Sequence, residues 1–302
     1  MNLRMVLLEI ALPTLVAGII VMGAFLAARR RAPASATPSG GGALLPSWIP
    51  ALAFGATYLV GARFVLGKFP DLPPTQSAEW SVLIALAAMV LGLLVSKWES
   101  FGLLPLVACG AIAGGVLGLA LWRAITGQFE GWIVRGAWIG ASVAAVYMPV
   151  MCVHAAARHT RSPAIDVAAW LAMTISCGAI VLAHTAKLAQ LASLLSMAGG
   201  FLWLAGVLTR RSTLATGGAV VGVGMHSGLW LMTYFTAEAH PASALLGALA
   251  PAGAALVLLP RVRRSGALAR WLVPIGACLI LSLAGLAVAA WKWLGEDSGY
   301  PG

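Results

Sequence analysis

His226 sits in GVGMHSGLW, near the middle of a long apolar stretch. If that stretch crosses a bilayer, an imidazole there is too deep to reach the headgroups and must find a partner among neighbouring helices. A neutral ring with an interhelical hydrogen bond meets that need. So does a proton relay or a solute-binding group. Four other residues fall at one shared depth, near one end of their stretches: Glu9, Arg63, Arg135 and His184. Together they could form a Glu9–Arg63 ion pair, or a cationic vestibule for a small anionic solute. Arginines so placed also reach headgroups by extending along the helix.

Other chemistry finds little support. Haem ligation by His226 would need a second histidine at its depth. His154 and His184 lie towards opposite ends of their stretches, so no haem, other cofactor or metal is expected. Cys109, Cys152, Cys177 and Cys278 form no CxxC pair and read as small packing residues. Asp166 follows Ser162 and Pro163. An acid in a first turn, behind a Ser cap and Pro at the first helical position, reads as structural, with Arg158 and Arg161 near enough to pair with it. HExxH, GxxxxGK[ST] and GxSxG motifs are absent, so catalysis is not the favoured expectation.

The elements that must position these residues are apolar helices. Hydrophobic residues are 61% of the 302 and charged residues only 9%, against about 25% charged in soluble domains. Ten stretches approach or exceed the length that crosses a bilayer, and none alternates as a barrel strand would. They are expected near Met5–Ala28, Trp48–Gly67, Trp80–Ser96, Gly102–Trp122, Trp132–Val153, Ala164–Thr185, Leu188–Leu208, Leu214–Phe235, Ala242–Leu259 and Trp271–Trp291. The fold class is thus an all-α, polytopic membrane bundle in a single transmembrane domain. The tightest turn, His184–Lys187, divides the sixth stretch from the seventh.

Charge placement gives an orientation. Twelve of the 19 basic residues follow odd-numbered stretches, including Arg29–Arg31, Arg158, Arg161, Arg210, Arg211, Arg261, Arg263, Arg264 and Arg270. Positive loops stay in the cytoplasm, so both termini are expected outside a cytoplasmic (inner) membrane. The formal charge of +10 then reflects topology and contact with anionic headgroups, not nucleic-acid binding. Residues 32–47 (APASATPSGGGALLPS) read as a flexible cytoplasmic loop. Residues 68–79 (KFPDLPPTQSAE) read as a stiffer, proline-rich outer one.

Small residues at four-residue spacing predict close helix packing at Gly110, Gly114 and Gly118, and at Gly218, Gly222, Gly224 and Gly228. They would serve an interior helix or a homo-oligomer contact equally. Tryptophans such as Trp48, Trp122, Trp132, Trp271 and Trp291 mark span ends. The runs starting at Pro105 and Pro274 share Pro, Ala, Cys, Leu, Ala and Trp in register. This suggests a parallel 4+2+4 arrangement.

Length and span count are similar to those of the ten-helix drug/metabolite exporters. That family, however, repeats as five plus five with its termini inside, so it is not assigned. The leading expectation is a permease or exporter for a small anionic or lipophilic solute. A non-catalytic subunit of a membrane complex and a membrane-embedded lipid-modifying enzyme are the alternatives.

Overall fold

The computed structural model describes residues 12–31, 46–71, 74, 76–97, 118, 120–122, 124–183, 185–214, 217–237 and 239–297. Glu9, His184, Gly110, Gly114, Cys109 and most of the fourth stretch lie outside these residues. All regular structure among the described residues is helical. The helices are α1 (Leu12–Arg31), α2 (Ile49–Val65), α3 (Ser77–Lys97), α4 (Trp132–Thr160), α5 (Ala164–Leu182), α6 (Ala186–Thr209), α7 (Gly217–Ala237), α8 (Pro241–Leu249), α9 (Pro260–Arg264) and α10 (Ala267–Asp297). A 3-10 helix, Ala250–Leu258, continues directly from α8.

Nine of the ten expected stretches fall on described helices. Among the described residues six segments are long and apolar enough to cross a membrane: Ala78–Lys97, Trp132–Thr160, Ala164–Leu182, Ala186–Thr209, Pro241–Leu258 and Ala267–Gly295. Leu12–Ala24 and Ile49–Val65 are shorter apolar helices. α7 is 21 residues long but carries glycine, histidine, serine and threonine among its apolar residues. It is buried at every residue from Gly217 to Trp230. A helix enclosed on all sides belongs at the centre of a bundle, and α2, α3, α4, α6 and α8 pack around it.

Several boundaries differ from expectation. α4 runs to Thr160, past Val153, because Pro149 does not end it and the polar residues that follow stay helical. Within a membrane bundle, neighbouring groups satisfy the carbonyl that a proline frees, so interior prolines are tolerated at Pro149 and Pro274. α10 begins at Ala267, a turn before Trp271. The ninth stretch is broken into α8 and the 3-10 helix, whereas α3, its counterpart in the expected duplication, is unbroken.

Contacts at the two ends fix an up-and-down order. At the arginine-rich end, Ser212 N–H donates to Arg161 C=O at 3.1 Å, linking the α6–α7 turn to the C-terminus of α4. There too, Ser47 and Ser96 exchange hydroxyl-to-carbonyl bonds of 3.2 and 3.0 Å between the start of α2 and the end of α3. At the other end, Gln128 Nε2 donates to Phe235 C=O at 3.3 Å, and His240 meets the Trp291 ring at 6.3 Å.

Glycine contacts differ along α7. A Cβ at Gly218 would stand 2.7 Å from Pro50 Cβ, and one at Gly222 2.6 Å from the Phe54 ring. Gly217 lies against the backbone of Gly92 on α3. Gly224 and Gly118 make only ordinary contacts, at 3.5 Å to Val150 and Ile139. Among the described residues nothing comes within 4 Å of a Cβ at Gly228. Among the described residues the close approaches on α7 are thus at Gly217, Gly218 and Gly222.

The outer faces are apolar. Leu15 and Ile19 on α1, and Leu268, Leu272, Ile280, Leu283 and Leu294 on α10, are exposed. Apolar surface of this extent is what a lipid-facing bundle presents. Trp132, at the first turn of α4, is 82% exposed, and Trp291 is exposed near the end of α10. Both suit an interfacial position.

Candidate functional site

The site grows from one proline. In an α-helix the Gly247 carbonyl would accept the N–H of residue 251, but Pro251 has none. The chain tightens into the 3-10 helix, and Gly247 C=O takes the Ala250 N–H instead. In the 3-10 pattern Ala248 C=O would also look to residue 251, so it too loses its backbone donor.

α7 supplies a donor to each of these carbonyls, the second one at Gly247 and the missing one at Ala248. Ser227 Oγ donates to Ala248 C=O at 2.8 Å. His226 Nε2 lies 3.0 Å from Gly247 C=O. A carbonyl can only accept, so Nε2 carries the proton. Gly247 makes this reach possible, because any Cβ there would run into the Trp230 ring, one turn along α7 from His226. The 3-10 helix is held equally closely on its far side. A Cβ at Gly253 would stand 2.9 Å from Cys278 N, and Cys278 Sγ lies 3.8 Å from Pro251 C=O. His226 is 2% exposed and Ser227 fully buried. The arrangement clamps a broken span between α7 and α10.

The remaining expected residues do not gather around His226. Arg63, in the last turn of α2, holds its guanidinium 5.3 Å from the Phe69 ring centre, a cation–π contact. Arg135 donates from Nε to Phe129 C=O at 3.0 Å and through its terminal nitrogen to Thr126 C=O at 3.3 Å. It thereby caps the carbonyl end of the helical turn at 124–128. Glu9 and His184, the other members of the expected vestibule, lie outside the described residues.

Two polar sites have partners that the sequence did not indicate. Asp166 on α5 is 2% exposed and forms no ion pair with Arg158 or Arg161 among the described residues. Its carboxylate instead accepts from Ser212 Oγ, from Thr213 N–H at 2.7 Å and Oγ1 at 3.0 Å, and from Leu214 N–H at 3.4 Å. It ties the start of α5 to the turn between α6 and α7. Arg161 and Arg210, which end α4 and α6, both adopt left-handed backbone (φ 51° and 55°) beside this knot. At the opposite end Lys68 pairs with Asp71 and, at 3.2 Å, with Glu79, which is 1% exposed. Glu79 Oε2 also accepts the Gln76 N–H at 3.3 Å, half of a capping box that starts α3. Hydrogen bonding to Asp71 and then to Glu79 raises the Lys68 pKa above the ordinary lysine value.

Among the described residues no group of three His, Cys, Asp or Glu side chains converges to hold a metal, and Cys152, Cys177 and Cys278 are free thiols. The chain matches no protein-family model, no curated protein and no solved structure.

Proposed function

We propose that this chain is a small-solute permease or exporter of the cytoplasmic membrane, crossing it ten times with both ends outside. One observation carries the reading: the span Pro241–Leu258 changes from α to 3-10 helix at Ala250–Pro251, halfway along its length. Helices broken at mid-membrane supply backbone groups and hinges around which transporters move. Here His226 and Ser227 hold the Gly247 and Ala248 carbonyls at the break. Releasing them would expose polar backbone at mid-depth, where a small anionic or lipophilic solute could be met. The 3-10 segment is the moving part in this reading, with α7 as its fixed support.

The test compares the small anions and lipophilic compounds released by cells expressing the parent, His226→Ala or Pro251→Ala at equal membrane abundance. A compound exported by the parent and retained by both variants supports transport through this site. Identical release profiles in all three reject it.

A second reading is a structural subunit of a membrane complex. It is favoured by the solid packing of α7, with Pro50, Phe54 and Gly92 pressed against its glycines. Recovery of a stoichiometric partner after mild detergent extraction, with export profiles unchanged, would select it.

A further inference from the structure

A cavity of about 330 Å³ opens at the arginine-rich end, between the C-terminus of α4, the end of the 3-10 helix, α9 and the start of α10. This volume is at the low end of the range for small-molecule sites. Three nitrogen-bearing side chains from three separate helices converge on it: His159 from α4, Arg263 from α9 and Arg270 from α10. No Asp or Glu is among its lining residues. Both ion pairs found among the described residues belong to Lys68, so neither guanidinium is neutralised there by a carboxylate.

Two arginines gathered without an acid repel one another, and an anion between them relieves that repulsion. His159 Nδ1 donates to Ala155 C=O at 2.8 Å, which fixes the ring against the cavity wall. Ser162 Oγ accepts the Ala164 N–H at 3.2 Å, which leaves its own hydrogen to donate. The guanidinium fork matches the paired oxygens of a phosphate. Trp271 adds an apolar wall at the same opening. Basic pockets between membrane helices near the bilayer surface take phosphate headgroups.

We propose that this cavity binds a phosphate monoester or diester, either the headgroup of an anionic phospholipid or a free organic phosphate. The site involves neither His226 nor the broken span's clamp, so it stands or falls apart from the transport reading.

The full chain, purified in a neutral detergent, is titrated with short-chain phosphatidic acid, short-chain phosphatidylglycerol, glycerol phosphate and short-chain phosphatidylcholine, and binding is read by native mass spectrometry. The anionic ligands should bind. Arg263→Gln with Arg270→Gln should weaken that binding at least about tenfold. Arg261→Gln with Arg264→Gln, an equal charge change on neighbouring residues outside the cavity, should leave it within about twofold. Binding of both short-chain anionic lipids without glycerol phosphate identifies a lipid headgroup. Equal binding of glycerol phosphate identifies a free phosphate ester. Should the double variant not fold, Arg263→Gln and Arg270→Gln singly carry the comparison, each with a several-fold loss. The proposal is overturned by unweakened binding in the cavity variants, by equal weakening in the outside pair, by equal affinity for phosphatidylcholine, or by no binding in the parent.

Discussion

His226 on α7 donates from Nε2 to the backbone carbonyl of Gly247 on α8, across 3.0 Å. Pro251, four residues on, has no N–H to offer that carbonyl, and the Ala250 N–H that takes its place leaves the second lone pair for the ring. The histidine thus acts first as a tie between two helices, and any role in transport must begin by breaking it.

His226→Ala should lower stability by about 2–4 kcal/mol. The interhelical hydrogen bond contributes about 1 kcal/mol of this, and the void left by the ring the rest. His226→Gln keeps an N–H donor and should recover part of the loss. Thermal unfolding of the detergent-purified chain measures both. A melting temperature unmoved by His226→Ala would show that the tie carries no load.

Pro251→Ala restores a backbone donor beneath Gly247 and Ala248. Ser227→Ala in the parent deprives Ala248 C=O of its donor, but in the Pro251→Ala background the backbone can replace it. The double-mutant cycle should give a coupling of about 0.5–1.7 kcal/mol, the span of membrane hydrogen-bond values. Additive effects would mean that Ser227 and Pro251 are not linked as described.

Lys68 holds Asp71 and the buried Glu79 at the opposite end of the bundle. Its folded-state pKa is raised, so the stabilisation is fully present below the unfolded lysine pKa of about 10.4 and is lost as pH rises through the folded value. Lys68→Gln should therefore melt below the parent at pH 7 and at pH 9 alike, and the gap should close only at pH above the ordinary lysine range. Glu79→Gln should narrow the gap at pH 7 and at pH 9. Parallel melting curves across the whole series would remove Lys68 from the account of this loop.

Where a helix lies along the chain was readable in advance, because apolar length is a property of one segment. What each polar residue touches was not. The α5–α6 turn and the N-terminal place of Asp166 followed from local residues, but the donors to its carboxylate lie 46 to 48 positions away. Pro251 was visible inside the ninth stretch but was not read as a break, because interior prolines are tolerated in membrane helices. Only the packing of Gly247 on Trp230 shows that His226 and Ser227 mend it. The overrun of α4 to Thr160 was hidden because hydropathy falls at His154 while the backbone stays helical. The cavity formed by His159, Arg263 and Arg270 joins residues that the sequence shows only as parts of two basic loops.

Asp166 gives the most local prediction. Its carboxylate satisfies two backbone N–H groups and two hydroxyls in the α6–α7 turn. Asp166→Ala leaves those donors without their acceptor, at a cost of about 2–4 kcal/mol. Asp166→Asn keeps the shape but turns one acceptor into a donor facing donors, so it should rescue little. The loosened segment contains Arg210 and Arg211, which trypsin can cut once the turn opens. Limited digestion in detergent should therefore cleave at these arginines at least about tenfold faster in both variants, while cleavage at Arg261–Arg264 stays near the parent rate. Equal acceleration at both places would mean that the whole bundle has loosened. Unchanged cleavage at Arg210 and Arg211 would mean that the turn is held without Asp166.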